Sequence, residues 1–333
     1  MVGLAVAVVR AKSRCVRAAT VRIAIGTRSS PAVAGAEACA NLQVLTELGL
    51  PRRDARGGAG LVDPHAGRVQ DAPVSPHLTV LIPCYNEERR IADTVPRVVE
   101  YLGTLPCTWE VVLVDDGSTD GTWAQLEAFT RALPGVRAVR QAANGGKGRA
   151  LAAGVQAARG EVVLFFDADL SYPLSYVAEA LAAIDGGADV VAGARDLDAG
   201  GRADYTLLRK AFSGAFNGLV DLVLGLGIPD TQCGFKAFRA DVARALFGAL
   251  TIGRFGFDVE LLYLVRRWNL VLVRMPIIMV HRPGSTVRVI PDSLQMFRDI
   301  VRIRRQAARY PARPAELTPR PADRAPDASK GRL

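Results

Sequence analysis

The chain has 333 residues, half of them apolar, which is enough for one large domain or two small ones with a sizeable core. Its five cysteines form no CxxC pair and its three histidines are dispersed, so the sequence favours neither a zinc site nor a disulfide framework and is typical of a reducing, cytoplasmic compartment. The formal net charge is +9, but the basic excess lies in residues 1–76 and 302–333, and the near-neutral stretch between them argues against a nucleic-acid-binding domain.

Residues 1–76 are rich in Ala, Arg and Gly without a sustained period, and we interpret them as a poorly ordered, basic N-terminal extension. Met1 to Val9 is apolar, but basic residues follow it at once. The stretch therefore predicts neither a membrane-spanning helix nor a signal peptide, whose charges precede the apolar run. Basic ends beside a neutral centre suit either an anionic membrane surface or ordinary solubilising tails.

From Leu78 onward, apolar runs that suit strands alternate with segments of helical spacing. Strands are predicted over residues 78–82, 110–114, 136–139, 162–166 and 189–194. Helices are predicted over residues 88–102, 122–133 and 175–184, and a glycine-rich turn over 144–148 opens a further, alanine-rich helix that runs through Ala158. This alternation predicts an α/β fold with a mainly parallel, Rossmann-like sheet flanked by helices on both faces.

The second half of the chain has a different texture, with longer helical segments and fewer strands. The predicted elements are one long helix or a broken pair over 205–226, a loop and short strand over 227–238, a helix over 257–267, a strand over 270–275, a basic loop over 281–288 and a helix over 292–305. From Tyr310 the Pro, Ala and Arg composition predicts disorder. The sequence therefore predicts one domain over residues 77–305 and a disordered tail over 306–333.

Two carboxylates, Asp167 and Asp169, directly follow the buried run Val162 to Phe166. Residues two apart in a strand point to the same side, so both side chains converge on one point. Adjacent anions are costly unless a cation lies between them, and Mg²⁺ or Mn²⁺ with oxygen ligands is the usual solution. A solvated turn before Pro173 is the alternative for this pair taken alone.

Polar clusters follow four of the predicted strands: residues 83–87, 115–116, 144–148 and 167–169. In parallel sheets ligands bind outside the carboxyl ends of the strands, so all four clusters share one rim and favour a binding site there over a solvated turn. The glycines beside Lys147 favour a phosphate cradle. Asp258, just before a helical run, is either a catalytic carboxylate or a helix N-cap.

Five stretches in this order, LTVLIPCYNEE, VVLVDDGSTDGT, NGGKGRA, VLFFDADLSYP and DTQCGFKAF, resemble glycosyltransferase family 2 with the GT-A fold. Within that family the chain is most similar to the polyprenyl-phosphate (dolichyl-phosphate) hexosyltransferases, and DTQCGFK with the later FDVELL resembles the β-glucosyltransferase branch. The resemblance covers about residues 77–305. It implies inverting transfer of a hexose, glucose from UDP-glucose, to a polyprenyl phosphate. The alternatives are a GDP-mannose-dependent mannosyltransferase and a family 2 transferase that acts on a saccharide hydroxyl.

The resemblance also implies roles for individual residues. For the nucleotide sugar it implies contacts from Pro83, Tyr85, Glu87, Asp115, Asp116, Lys147 and Asp167. For the metal, Mg²⁺ or Mn²⁺, it implies Asp167, Asp169 and Ser171; for the acceptor phosphate it implies Arg195, Arg209 and Ser213. The resemblance also implies that Arg282 reaches the donor, and that it forms the catalytic group together with Asp167, Asp169, Arg195 and Arg209. Relatives often read Gly-Ser-Lys where this chain has Gly284-Ser285-Thr286, so the lysine of that loop is missing here.

The implied acceptor, a polyprenyl phosphate, is already an anion near neutral pH and needs cations to position it rather than a general base. Guanidinium groups bind phosphate bidentately, which suits Arg195 and Arg209 to that task. Direct in-line attack inverts the anomeric configuration and gives a β-linked lipid phosphate. The helix over 205–226 and the basic residues Arg302, Arg304 and Arg305 suggest peripheral contact with the cytoplasmic face of a membrane.

Overall fold

The computed structural model describes residues 75–198, 207–280 and 289–317. The strands in these ranges are β1 (Leu78–Cys84), β2 (Trp109–Asp115), β3 (Val136–Arg140), β4 (Val162–Phe165), β5 (Val190–Ala194), β6 (Lys236–Arg239) and β7 (Leu272–Pro276). The helices are α1 (Glu88–Leu102), α2 (Thr122–Ala132), α3 (Lys147–Ala157), α4 (Tyr176–Asp185), α5 (Leu207–Leu224), α6 (Ala240–Ala249), α7 (Phe257–Arg267) and α8 (Val289–Gln306), with a short 3₁₀ helix, Ala307–Arg309, after α8.

The strands form one sheet in the order β3-β2-β1-β4-β6-β5-β7. β6 runs antiparallel to both of its neighbours, β4 and β5, and the remaining pairs are parallel. Because of this reversal, the amino end of β6 lies at the rim where the parallel strands have their carboxyl ends. The register there pairs Phe165 of β4 with Lys236 of β6.

Helices cover the sheet on both faces and produce two hydrophobic clusters. Alternate residues of each central strand point to opposite faces, so Leu81 belongs to the cluster with α3, α6 and α7, whereas Val80 and Ile82 belong to the cluster with α1 and α4. Burial on both faces explains why β1, β2, β4 and β5 read as continuous apolar runs rather than as alternating ones.

The predicted α/β architecture is confirmed, and the predicted strands and helices of the first half recur with shifts of one or two residues at their ends. Two differences stand out. β1 continues through Pro83 to Cys84 instead of ending at Ile82, because the strand still pairs with β2 at those positions. The helix α6 was not predicted; it follows β6 with no intervening loop, although Val242 and Leu246 recur on its buried face.

Residues 306–317 correct the predicted disordered tail, because they pack against the domain. Tyr310 and Leu317 are buried in the cluster with α7, and the Tyr310 hydroxyl donates a hydrogen bond of 2.6 Å to Glu260 Oε1. The indole N–H of Trp268 donates to the carbonyl oxygen of Pro311 at 3.1 Å. The buried side chains of Tyr310 and Leu317 thus anchor a segment whose composition is typical of disordered chains. Residues 318–333 and the predicted N-terminal extension up to residue 74 lie outside the described residues.

The long helix predicted over 205–226 is one continuous helix over the described residues, Leu207–Leu224, rather than a broken pair. Its buried residues Val220 and Leu224 pack into the core, while Leu222 is exposed. Among the described helices, none combines the length and the apolar character needed to cross a membrane.

Candidate active site

The polar clusters meet at the carboxyl ends of the parallel strands. The chain runs from β1 to β2 and β3 on one side and then returns to β4 on the other side of β1, so the crevice between β1 and β4 is the point where the strand order reverses. Open α/β sheets bind their ligands in such a crevice. Asp115 ends β2, Asp167 and Asp169 follow β4, and Arg195 follows β5.

The turn that carries Asp167 and Asp169 is fixed by several hydrogen bonds. The Thr94 hydroxyl of α1 donates to the carbonyl oxygen of Ala168 at 2.6 Å, and the Ser171 backbone N–H donates to Asp169 Oδ1 at 2.9 Å. Leu170 has a positive φ of 49°, which is uncommon for a residue other than glycine and tightens the turn. The turn therefore presents both carboxylates from a rigid backbone.

Lys147, the first residue of α3, bonds directly to Asp167. Its ammonium group donates to Asp167 Oδ1 and lies 5.8 Å from the centre of the Phe165 ring. Burial would lower the pKa of Lys147, but the carboxylates of Asp167 and Asp258 outweigh that effect and raise it. The lysine thus stays charged beside the acidic pair.

Asp116 holds the glycine-rich turn before α3. Its two carboxylate oxygens accept the backbone N–H groups of Gly145 and Gly146, each at 2.8 Å. Gly146 has a φ of 91°, and a Cβ there would lie 2.7 Å from the carbonyl oxygen of Gly253, so the position requires glycine. Burial raises the pKa of Asp116, whereas the two backbone hydrogen bonds oppose the rise.

Asp115 lies at the same rim but is fully buried. Its Oδ1 accepts the Ser118 backbone N–H at 3.1 Å, and its Oδ2 lies 3.2 Å from Arg140 Nε. The Arg140 guanidinium in turn covers the Trp123 ring at 5.1 Å. The Oδ1 hydrogen bond thus orders the loop after β2, whereas Oδ2 is buried and accepts no hydrogen bond from the described residues.

The end of β1 supplies Pro83, Tyr85 and Glu87. The Tyr85 side chain is exposed at the rim, whereas Glu87 Oε2 accepts a hydrogen bond of 2.8 Å from Arg90. Burial raises the pKa of Glu87, and the charges of Asp169 and Asp167 raise it further while Arg90 opposes the rise. Glu87 therefore shares one electronegative region with the acidic pair.

This region suits a divalent cation of the hard, oxygen-binding kind. Asp167 and Asp169 offer carboxylate oxygens on a fixed turn, which is the donor type that Mg²⁺ and Mn²⁺ prefer. Within the part of the chain that the structure describes, no three His, Cys, Asp or Glu side chains come close enough to enclose a metal ion. A cation held by the pair would thus take its other ligands from solvent or from a bound phosphate.

Arg195 follows β5 and is held by Asp230, a residue that the sequence analysis gave no role. Its Nε and Nη2 donate to Asp230 Oδ2 and Oδ1 at 2.8 and 2.6 Å, and its backbone N–H donates to Oδ2 at 2.9 Å. Burial would raise the pKa of Asp230, but the hydrogen bonds and charge of Arg195 lower it. The signal was present in the sequence, because Asp230 opens the DTQCGFK stretch.

Two further residues of that region were also missed. Lys236 is fully buried, and its ammonium group donates to Asp258 Oδ1 at 2.7 Å. Asp258 is therefore not the N-cap of α7, a position that Gly256 occupies. At Gly234, a Cβ would collide with Asp167 Oδ2. Contacts between segments distant in the chain give these residues their places, so spacing alone could not reveal them.

For three of the predicted residues the structure describes no side chain. Arg209 and Ser213 lie one helical turn apart in α5, whose backbone is described there while their side chains are not. Arg282 lies outside the described residues. Their contribution to the site stays a prediction.

Comparison with known families and proteins shows what the chain is similar to. The family model described as "Glycosyl transferase family 2" matches residues 79–247. A dolichyl-phosphate β-glucosyltransferase of Trichomonas vaginalis is 33% identical over 217 residues, which are 62% of this chain and 64%, or less than two thirds, of that protein. The dolichyl-phosphate β-glucosyltransferase of Drosophila melanogaster is 33% identical over 257 residues, 71% of this chain and 78% of that protein.

Among solved structures, glucosyl-3-phosphoglycerate synthase from Mycobacterium tuberculosis shares the fold. Its crystal structure with Mn²⁺, UDP-glucose and glycerol 3-phosphate is 20% identical, covers 71% of this chain and 81% of its own, and superposes with a TM-score of 0.50. The GT-A glycosyltransferase fold is therefore confirmed.

Proposed function

The chain belongs to glycosyl transferase family 2, and from that premise we propose that it transfers glucose from UDP-glucose to a polyprenyl phosphate of the dolichyl type. The observation that carries the proposal is the 33% identity to relatives named dolichyl-phosphate β-glucosyltransferases. The family model covers residues 79–247, which include every polar cluster of the rim. The product would be a β-linked lipid-phosphate glucose.

On the donor side, Asp167, Asp169 and Ser171 would hold Mg²⁺ or Mn²⁺. The Mn²⁺ and UDP-glucose in the M. tuberculosis synthase support a divalent ion and a uridine donor. When bound, the ion acts as a Lewis acid that neutralises charge on the leaving diphosphate. Lys147 adds a fixed positive charge beside Asp167, and Arg282 is proposed to reach the same diphosphate.

On the nucleoside side, the exposed Tyr85 and the neighbouring Pro83 and Glu87 are proposed to cradle the base and ribose. Asp116 and Asp115 would then act through the loops that they order: Asp116 fixes the glycine-rich turn, and Asp115 fixes the loop at Ser118. Backbone N–H groups of an ordered glycine-rich turn suit phosphate oxygens.

On the acceptor side, Arg195, Arg209 and Ser213 are proposed to hold the lipid phosphate. One phosphate oxygen attacks the anomeric carbon, the bond from that carbon to the diphosphate breaks, and the configuration inverts. No proton has to be removed from the nucleophile, because the phosphate is already ionised near neutral pH. Asp230 keeps the Arg195 guanidinium in a fixed orientation for this task.

The geometry does not favour a saccharide hydroxyl as the acceptor. Such a reaction needs a general base, and Asp258 is the carboxylate that the sequence suggested for that role. Asp258 is buried and accepts a hydrogen bond from Lys236 at 2.7 Å, so it is committed to a protein cation. The names of the relatives likewise favour a glucosyl donor over GDP-mannose.

We also propose that the protein binds peripherally at the cytoplasmic face of a membrane, where the prenyl tail of the acceptor resides. The exposed side of α8 carries Phe297 together with Arg298, Arg302, Arg304 and Arg305. A basic surface with an aromatic side chain suits anionic lipid headgroups. Flotation with phosphatidylserine vesicles should recover the wild-type chain and lose it when the three arginines at 302, 304 and 305 become glutamine; equal recovery would reject this surface.

The decisive experiment measures glycolipid formation from a short polyprenyl phosphate with Mg²⁺ or Mn²⁺. UDP-glucose and GDP-mannose are tested in parallel, and the reaction is repeated with Asp169→Ala. Product from UDP-glucose alone, lost in the variant, is the expected result. Product from GDP-mannose alone would make the protein a mannosyltransferase, and bound nucleotide without product from either donor would move the acceptor to another class.

A further inference from the structure

Lys236 is a charged residue in the interior of the sheet. It begins β6 and has no exposed surface. Its ammonium group donates to the carbonyl oxygen of Cys233 at 2.6 Å and to Asp258 Oδ1 at 2.7 Å. A buried ammonium group is tolerated only with such partners. Lys236 thus closes the turn from Cys233 to Lys236 and ties it to the first turn of α7.

The turn closed by Lys236 is the one that meets the acidic pair. At Gly234, a Cβ would collide with Asp167 Oδ2 and would lie 3.4 Å from Lys147 Nζ. On another side of the turn, the Cys233 sulfur lies close to Gly193. A Cβ added at Gly193 would be 2.6 Å from that sulfur. The Gly234 backbone is therefore confined, and it bounds the position of the Asp167 carboxylate.

Charges alternate through this cluster. Lys147 and Lys236 each lie 5.8 Å from the Phe165 ring, and the carboxylates of Asp167 and Asp258 are their respective partners. Burial raises the pKa of Asp258, while Lys236 and Lys147 oppose that rise. A buried ion pair adds little stability compared with apolar side chains of similar volume, so stability alone is a weak reason for this one.

We propose that Lys236 and Asp258 are positioning residues for the metal and diphosphate site. By holding the turn, Lys236 keeps the Gly234 backbone next to Asp167. Gly234 would thereby fix the Asp167 carboxylate in the position that binds the cation. Asp258 in turn holds Lys236 through their ion pair. Neither side chain touches the substrate. The inference rests on the proposed function, since it takes Asp167 to be a ligand of a divalent ion.

The test compares two variants with a matched control. Lys236→Met removes the ammonium group, and Lys236→Met combined with Asp258→Asn removes both charges, so that no carboxylate stays buried without a partner. Arg239→Met is the control, because Arg239 ends the same strand and pairs with Asp189 at 2.9 Å, away from the rim. For each protein, calorimetry measures the binding of Mn²⁺ with UDP, and hydrogen exchange without metal measures protection of residues 230–238.

Both Lys236 variants should bind Mn²⁺ with UDP about 10- to 100-fold more weakly, as is typical when a partner of a metal ligand is removed. They should also exchange the amides of residues 233–236 faster in the absence of metal. Arg239→Met should leave the affinity and this exchange unchanged while it lowers the melting temperature. The double variant should melt higher than Lys236→Met, because it lacks an unpaired buried charge.

Wild-type metal affinity and wild-type exchange in a folded double variant would overturn the positioning role. A measurement on the unmodified chain separates failure of the proposed function from failure of the positioning role. If the unmodified chain binds neither Mn²⁺ nor UDP, the proposed function fails. Exchange at residues 233–236 in the metal-free proteins would then still decide whether Lys236 holds the turn.

Discussion

Gly234 has no room for a side chain, and that restriction gives a sharp prediction. A Cβ at this position would collide with Asp167 Oδ2, so Gly234→Ala must displace the carboxylate, the turn or both. Misplacing a reacting group by about 1 Å costs on the order of 10²-fold in rate. We therefore expect Gly234→Ala to lower kcat/KM for glucosyl transfer by about that factor.

Gly248→Ala is the control for Gly234→Ala. Gly248 lies in α6, and a Cβ there would meet nothing within 4 Å. Its replacement should leave kcat/KM unchanged and stabilise the helix by roughly 0.5–1 kcal/mol. Equal activity of the two variants in steady-state kinetics would show that Gly234 does not constrain Asp167.

Asp230 predicts how the stability of the protein responds to acid. Arg195 lowers its pKa in the folded state, so the pair contributes its full stability above the unfolded value of about 3.9. Below that value the unfolded chain binds more protons at this group, and the contribution is lost as the pH falls through the folded pKa. Asp230→Asn should therefore reduce the loss of unfolding free energy between neutral and acidic pH, measured by urea denaturation.

The same substitution should also destabilise the protein at neutral pH by about 3 kcal/mol, because it leaves Arg195 without its buried anion. Asp241→Asn is a suitable comparison. Asp241 also has a lowered pKa next to an arginine, Arg239, but its side chain is 47% exposed, so solvent screens the pair. If Asp241→Asn changed the loss of unfolding free energy on acidification as much as Asp230→Asn does, burial of the ion pair would not be what makes Asp230 important.

The elements that could be predicted are those whose local pattern agrees with their environment. β1, β2 and β4 are apolar runs bounded by polar clusters, and α1 repeats its apolar residues at helical spacing, so spacing alone located them. The reversed direction of β6 could not be found in this way. A strand of four residues has too little pattern to specify its partners, and its antiparallel pairing depends on residues far away in the chain.

The candidate site likewise contains residues that local sequence predicts and residues that only tertiary contacts bring into place. Asp167, Asp169, Lys147 and Asp116 were predictable because each follows a strand end or a glycine-rich turn. Asp230 and Lys236 were not predicted, because they reach their partners, Arg195 and Asp258, only through tertiary contacts. The position of Asp258 before an apolar run made a helix N-cap plausible. In the structure its carboxylate instead accepts a hydrogen bond from the buried ammonium group of Lys236.

The segment after α8 predicts the result of two truncations. Ending the chain after residue 306 removes Tyr310 and Leu317, which are both buried. It also removes the hydrogen bond that the Tyr310 hydroxyl donates to Glu260. Burial of a large apolar side chain is worth about 1.5–3 kcal/mol, so we expect a loss of several kcal/mol in unfolding free energy. The chain that ends after residue 317 keeps both side chains and is the reference for this comparison in urea denaturation. Equal stability of the two truncated chains would show that the packed segment is dispensable.

The whole domain depends on the insertion of β6, since the sheet is continuous only through that strand. Over the described residues, β5 pairs with β6 and β7, and β4 reaches β5 only through β6. β4 also packs against elements that come later in the chain. The ring of Phe165 contacts the rings of Phe238 in β6, Phe247 in α6 and Phe257 in α7. The first half therefore contains β1 to β5 without the strand that joins β4 to β5.

A fragment of residues 75–198 should consequently fail to fold as a unit. It retains β1 to β5, but β5 would have no neighbour, and Phe165 of β4 would lose the three aromatic rings that it contacts in β6, α6 and α7. Exposed strand edges and apolar faces favour aggregation over a compact state. We expect no cooperative transition for the fragment in urea denaturation followed by circular dichroism, whereas the full chain unfolds cooperatively. A sigmoidal transition of the fragment would show that the first half is an independent domain. The close approach of Gly234 to Asp167 would then be a contact between two domains rather than part of one core.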